Sequence, residues 1–455
     1  MKYSRAGRLS WLVFLSLWMC HAVAVAQQDL LGNNVLGNTP TNNFQSQSNN
    51  FAFQQAGPTT PGSSHLGVPF MGTSTLAGSG LGRPYYTPTG PPLAGWGPIE
   101  VYPHLAYTFS YGNGVQARPG VNSTTAINTV APGTFLKIGD HWSIDYTPSL
   151  DFYSNPLFHN TTDQNVVLNG IATNGNWVLK LSQSYIDTTQ PLAETGTQIE
   201  QEAYLTALNA NWQMTGNLSL QLGVNQNFRV GTGVIGLQEW STADWFNYQF
   251  QPQLAVALGV TGGYDELSAG SDMPFEQILG RVIFQPGSKL YLVVSGGYED
   301  RQFVRPSAPA LVGPVFQAYA MYQALEGTLF SFGGDRTVTP SLFENEVNTI
   351  TSVTADIRQK IVGKMFFKIS GGYTSEPFTS IEAAPLPKYY FGAPPRTPLQ
   401  VTRADTRTFV EFTLSTTFRA RLTGSVFYRL IASDSSQANF NYSGNQVGLE
   451  LNYRY

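Results

Sequence analysis

Along most of this chain, apolar and polar residues take turns with a period of two. In IEVYPHLAYTFSY (99–111), Ile99, Val101, Leu105, Tyr107, Phe109 and Tyr111 share one side. WSIDYTPSLDF (142–152) gathers Trp142, Ile144, Tyr146, Leu150 and Phe152, and LSLQLGVNQNFRV (218–230) gathers Leu218, Leu220, Leu222, Val224, Phe228 and Val230. This is the period of a strand with two unlike faces. The pattern returns in 254–264, 289–299, 365–373, 422–430 and 447–455. Across these spans and 177–186, the charges keep to the polar parity: Glu100, Asp145, Asp151, Lys180, Arg229, Lys289, Glu299, Lys368, Arg429, Glu450 and Arg454. Soluble sheets alternate too. Strands of about nine residues that end in aromatics fit a barrel with lipid outside and water inside.

Tight turns punctuate the alternation at 139–141, 174–176, 214–217, 251–253, 285–288, 325–328, 362–364 and 418–421. Between successive strand pairs the segments are longer and richer in Pro, Asn and Asp. Short periplasmic turns and long outer loops are the habit of outer-membrane barrels. The expected fold is all-β, an antiparallel up-and-down transmembrane barrel of about 18 strands. Sixteen remains open, because 126–138 and 164–174 have ambiguous parity. The phrases TGGYDE (261–266), SGGYED (295–300) and SGGYTSE (370–376) place Tyr264, Tyr298 and Tyr373 about ten residues beyond a tight turn. These tyrosines read as an aromatic girdle, with Asp265, Glu299 and Glu376 expected to begin the water layer. The paired glycines are expected to ease wall curvature and to let a neighbouring ring lie over bare backbone.

The first residues differ. Lys2, Arg5 and Arg8 precede an apolar run from Leu9 to Cys20, and Ala24-Val25-Ala26 follows. This reads as a secretory signal peptide over 1–26. Its removal takes away Cys20, the single cysteine, and with it thiol and disulfide chemistry. Residues 27–97 are rich in Asn, Gln, Gly, Ser, Thr and Pro and read as a low-complexity, disordered arm before a barrel at 98–455. Only 12% of residues are charged, while 13% are aromatic. Without the three signal cations, 22 Lys+Arg face 29 Asp+Glu, a net charge near −7. No basic footprint for nucleic acid is present. The last strand, NQVGLELNYRY, aligns Val447, Leu449, Leu451, Tyr453 and Tyr455. Tyr453 and Tyr455 resemble the aromatic signal read by the barrel assembly machinery of the outer membrane.

Two stretches, STTAINTVAPGTFLKIGDHWSIDYTPSLDFYS (123–154) and FENEVNTITSVTADIRQKIVGKMFFKISGGYTS (343–375), resemble hairpins of the beta-barrel porin 2 family. The resemblance spans roughly 98–455. It implies an outer-membrane location and a link to exopolysaccharide export, with polysaccharide export components as partners. It supplies no catalytic residues.

Candidate chemistry is sparse. No cofactor or metal motif is present, and the oxygen-rich loop at 264–276 lacks calcium-loop spacing. His104 is the one histidine placed on an inward strand face, where a hydrolase would need a nucleophile such as Ser110 or Ser149 beside it. The lumen is the expected functional site. Glu100, Asp145, Asp151, Glu299, Glu411 and Glu450 face Lys180, Arg229, Arg281, Arg358, Lys368, Arg429 and Arg454 there. Such charges either orient solutes across a constriction or pair structurally across strands. Inward Tyr102, Phe366 and Phe427 either stack on sugar rings or plug the interior. The connection 375–404 is long enough to fold inward as a lid. Two functions follow, a channel for polar solutes or a secreted polysaccharide, and a structural or adhesive barrel plugged by its loops. A barrel hydrolase using His104 is a remote third.

Overall fold

A computed structural model describes residues 91–304, 309–381 and 399–455. The alternating runs become strands β1 (Ala94–Trp96), β2 (Ile99–Arg118), β3 (Val121–Ile138), β4 (Trp142–Tyr146), β5 (Ser149–Tyr153), β6 (Thr161–Asn174) and β7 (Trp177–Leu192). They continue as β8 (Thr197–Gln213), β9 (Leu218–Gly231), β10 (Leu237–Gln251), β11 (Leu254–Leu267), β12 (Met273–Phe284), β13 (Leu290–Arg301) and β14 (Leu311–Leu325). The last are β15 (Thr328–Pro340), β16 (Glu346–Val362), β17 (Met365–Ser380), β18 (Gln400–Arg419), β19 (Leu422–Ser435) and β20 (Tyr442–Arg454).

Each strand pairs antiparallel with its neighbours, and β2 pairs with both β3 and β20, which closes the ring. β1 is a three-residue tail on β2, and it begins ahead of the boundary at 98. β4 and β5 are halves of one strand. The ring therefore has 20 − 1 − 1 = 18 strands, the number expected. The signal peptide and most of the 27–97 arm lie outside the described residues.

The break between β4 and β5 has a backbone cause. Thr134 aligns with Tyr146 and Val130 with Leu150, so the register is unbroken and Pro132 stands opposite Pro148. Neither proline has an N–H to give, so the ladder lapses there.

All eight tight turns fall where the sequence puts them. We call that side the turn end; the chain enters and leaves the ring there. At the opposite tip end the expectation of long connections holds at 302–310 and 381–399 and fails at two corners. β2 and β3 are joined through Pro119-Gly120 alone, and β7 and β8 through 193–196. The strands themselves are long, with 20 residues in β2 and 16 and 17 in β7 and β8. A membrane strand needs only about 9–11. The surplus forms tall hairpins at the tip end.

Parity is obeyed along β11. Val256, Leu258 and Val260 point outward, with Leu258 63% exposed, while Thr261 and Asp265 are buried on the inner face. Tyr264, Tyr298 and Tyr373 are exposed on the outer face, as a girdle requires. The Phe275 ring lies over Gly263 and the Phe409 ring over Gly372, each where a Cβ would stand. At Gly297 the close neighbour is instead the backbone of Ile278. One expectation is overturned. Asp265, Glu299 and Glu376 do not begin a water layer; each is at most 4% exposed and faces inward.

Candidate functional site

The inner wall divides into two zones. Toward the tip end its charges are buried and matched. Arg301 of β13 donates to Glu299 (2.8 Å), to Asp265 and to the Val338 carbonyl (3.2 Å), with its guanidinium 4.5 Å from the Phe275 ring centre. Arg403 of β18 grips Asp405 at 2.7–3.0 Å, and Arg407 pairs with Glu376. Arg429 of β19 makes a two-pronged contact with Glu411, 2.8 Å through Nε. Arg229 is buried within electrostatic range of Glu194, Glu239 and Asp265. Next to these groups, Met273, Phe303, Val338, Val347 and Ile381 form an apolar cluster. Matched charge around buried hydrocarbon is how a soluble core is built, because an unmatched ion there is very costly.

The tip of the β7–β8 hairpin explains why that zone is closed. β7 and β15 are eight strands apart in a ring of 18, nearly opposite each other. Yet Glu194, at the tip, reaches the β15–β16 connection. Its Oε1 accepts from the Ser341 hydroxyl (2.6 Å) and the Leu342 N–H (2.7 Å). Arg403 donates to the Glu194 carbonyl at 2.9 Å. Gly196, with φ +65°, backs onto Gln116 and Pro119 of the β2–β3 hairpin. Glycine takes that conformation at least cost, and a Cβ there would press on the Gln116 amide and the Pro119 ring. The tip thus crosses the mouth and is held from three sides. Burial pushes the Glu194 carboxyl up to about 7; Glu376 adds to the rise, and the Ser341 and Leu342 donors and Arg229 oppose it.

Toward the turn end the wall is different. Arg281 of β12 lies 4.1 Å over the Trp245 ring and donates to Asn247 (2.7 Å) and Gln221 (3.4 Å), both neutral. Arg358 of β16 stacks 3.8 Å over Phe366. Lys180 of β7 and Lys368 of β17 also face inward. All four cations are half-buried, and among the described residues none has a carboxylate within ion-pair distance.

Other expected lumen residues take structural places. His104 meets Asp145 at 3.0 Å, with Thr147 at 3.4 Å from the same nitrogen; the imidazole lies over Gly133. Asp151 accepts from Thr129, Thr161 and Gln190. Tyr102 is buried and donates to Glu100 at 2.8 Å. Glu450 accepts from Asn452 at 2.8 Å, and Arg454 is aligned with His104 across the seam. Phe427 is buried over Gly448, and Arg358 covers Phe366, so neither presents a bare face to a sugar. The carboxyl-terminal Tyr455 N–H donates to the Pro103 carbonyl, and Tyr453 stands on the outer face opposite Leu105. The expected lid at 375–404 needs correction: 375–380 and 400–404 are strand, and the rest of the lid falls almost wholly outside the described residues. Sequence reasoning missed the hairpin tip that does cross. Its one signal was an alternating run, 177–213, too long for a single pair of membrane strands.

No family model matches the chain, and no curated protein matches it. The resemblance read at 123–154 and 343–375 therefore gains no family match. Among solved structures, OccK2 (OpdF) of Pseudomonas aeruginosa in complex with glucuronate is similar at 10% identity, covering 78% of this chain and 98% of that one, with a TM-score of 0.43. P. aeruginosa OprD is similar at 10% identity, covering 82% and 98%, with a TM-score of 0.40. OccAB3 of Acinetobacter baumannii is similar at 10% identity, covering 78% and 99%, with a TM-score of 0.41. Likeness at this level speaks to neither substrate nor mechanism, so the functional argument rests on this chain's own geometry.

Proposed function

We propose that this chain is an outer-membrane channel for passive passage of small polar solutes, narrowed at its outer mouth by the β7–β8 hairpin. The observation that carries the reading is the set Lys180, Arg281, Arg358 and Lys368. These cations lie inside a wall whose outer face is apolar, and none has a carboxylate within ion-pair distance among the described residues; Asp356 acts on Arg358 and Lys368 only from further off. Held so in a dry interior they would be prohibitively costly, so they call for water in the lumen. The turn end is then periplasmic and the tall hairpins face outward. Tyr453 and Tyr455 remain the candidate signal for the assembly machinery, and outer-membrane lipid is the surrounding partner.

A second reading, a barrel plugged for a structural role, draws on the apolar cluster and matched charges at the tip end. Export of a polysaccharide has less support, because a polymer needs a clear bore and the hairpin lies across it. Conductance in a planar bilayer decides. Replacing 191–198 by Asn-Gly shortens the hairpin and keeps a tight turn. The expected result is a several-fold rise in single-channel conductance over the parent. Silence from both proteins would sink the channel reading and leave the plugged barrel.

A further inference from the structure

The outer wall breaks its own rule on one side. The outward face of β10 reads Trp240, Thr242, Asp244, Phe246, Tyr248 and Phe250. Asp244 aligns with Val260 of β11, which is 55% exposed on the lipid face. It stands midway between Trp240 and Tyr248, at the level where lipid chains are expected. Among the described residues its one hydrogen bond comes from the Gly223 N–H at 3.3 Å. The charge rule read from the sequence did not cover this strand.

The neighbouring strands extend the anomaly. On the same outward face, Gln183 of β7, Thr206 of β8 and Gln226 of β9 lie in one row with Trp240. The Thr206 hydroxyl faces both amide oxygens, 2.6 Å from Gln183 and 3.1 Å from Gln226. That turns both amide nitrogens away from the shared contact; the Gln183 nitrogen gives one hydrogen to the Ser184 carbonyl at 3.4 Å and has a second to offer. The wall on β11 and β19 shows Val256, Leu258, Val426, Tyr428 and Leu430 at comparable positions. Polar and ionisable groups facing lipid are costly, and they mark a partner or a pathway.

We propose that the outer face of β7–β10 seats a second copy of this chain, related by a two-fold axis along the membrane normal between β8 and β9. Two observations point to this occupant. First, such an axis runs β7-β8-β9-β10 of one copy against β10-β9-β8-β7 of the other, so Asp244 of each faces Gln183 of the other. An acceptor meets a donor twice, as a self-complementary patch requires. Second, the depths agree. Gln183 stands 183 − 176 = 7 residues above its tight turn, and Asp244 stands 252 − 244 = 8 above its own. Two copies inserted the same way bring these groups to one level without any adjustment. Hydrogen bonds between partners inside a bilayer gain because lipid offers no alternative. The proposal rests on the barrel lying in a membrane and not on passage through it.

The test uses the full chain in native outer membranes, with Cys20→Ser to leave no other thiol. Val224→Cys places one thiol on β9 beside the axis, and Leu430→Cys places one on β19, nearly opposite in the ring. A bismaleimide is expected to join Val224→Cys into dimers and to leave Leu430→Cys monomeric. Adding Gln183→Leu and Gln226→Leu should cut the dimer yield about tenfold. If that variant fails to reach the heat-resistant folded form, Asp244→Val alone is read in its place, with the same expected loss. No dimer, equal dimer at both positions, undiminished dimer in a folded variant, or products with another protein only would each overturn the proposal. Conductance is read separately, so a silent barrel that still dimerises leaves it standing.

Discussion

The two ends of the inner wall use the same strands to opposite effect. At the tip end Arg301, Arg403, Arg407 and Arg429 each hold a carboxylate, and Met273 and Val347 are fully buried beside them. At the turn end Arg281 and Arg358 lean on aromatic rings and amides, with no carboxylate within ion-pair distance among the described residues; Asp356 acts on Arg358 only from further off. The difference teaches where a barrel keeps water. Charges sealed from solvent must be neutralised locally, whereas charges that line an aqueous bore need only be held in place. A guanidinium stacked on a ring is held without being neutralised.

The sharpest way to break this comparison is to remove one cation from each zone. Arg301→Met leaves Asp265 and Glu299 buried without their partner and should cost about 3–5 kcal/mol. The temperature at which the folded band disappears in unheated-versus-heated electrophoresis should fall accordingly. Arg281→Met should move that temperature far less, by the equivalent of roughly 1 kcal/mol. Equal losses would mean that the turn end is as dry as the tip end.

A smaller effect tests the hairpin itself. Docked, Glu194 titrates near 7, against an ordinary 4.5. The docked hairpin therefore holds an extra proton between those values. Docking strengthens as pH falls through 7, and the gain is complete below about 4.5. Channel opening should drop by up to roughly seventyfold from pH 8 to pH 5, and Glu194→Gln should flatten the profile. An unchanged profile in that variant would separate the titration from the hairpin. The smallest expected change is in selectivity. Arg281→Gln combined with Lys368→Gln should move the reversal potential in a salt gradient by several millivolts toward cation preference. No movement would take these residues out of the conducting path.

Much of the wall could be read from the chain because a strand's faces depend on nearest neighbours. Ile99 to Tyr111 declare their side without knowing what they pack against, and turns such as Asn174-Gly175-Asn176 declare themselves by composition. What failed depends on residues far apart. Asp265, Glu299 and Glu376 sit one to three residues past girdle tyrosines and look solvated; Asp265 and Glu376 meet arginines from other strands, and Glu299 meets Arg301 two residues along its own. Glu194 gives no local sign that Ser341 and Leu342 will receive it. The Pro119-Gly120 corner was read as part of a long loop because the strands around it run well past the length a membrane strand needs. Asp244 lay in β10, one of several strands whose faces had not been separated, between Trp240 and Trp245.

The seam between β2 and β20 carries a consequence for how the molecule is made. Its nine aligned pairs, from His104 with Arg454 to Gly112 with Gln446, join the first long strand to the last. Every other strand finds its neighbour close by in the chain, so hairpins can form as they emerge. The seam must wait for the whole polypeptide, and until then two unpaired edges stay open, each able to take up a strand of another chain. A slip of one residue on closing would turn every side chain of β20 to the wrong face. Closure is therefore the slow, error-prone event in this molecule's birth, and it calls for an escort that shields both edges until the ring is sealed.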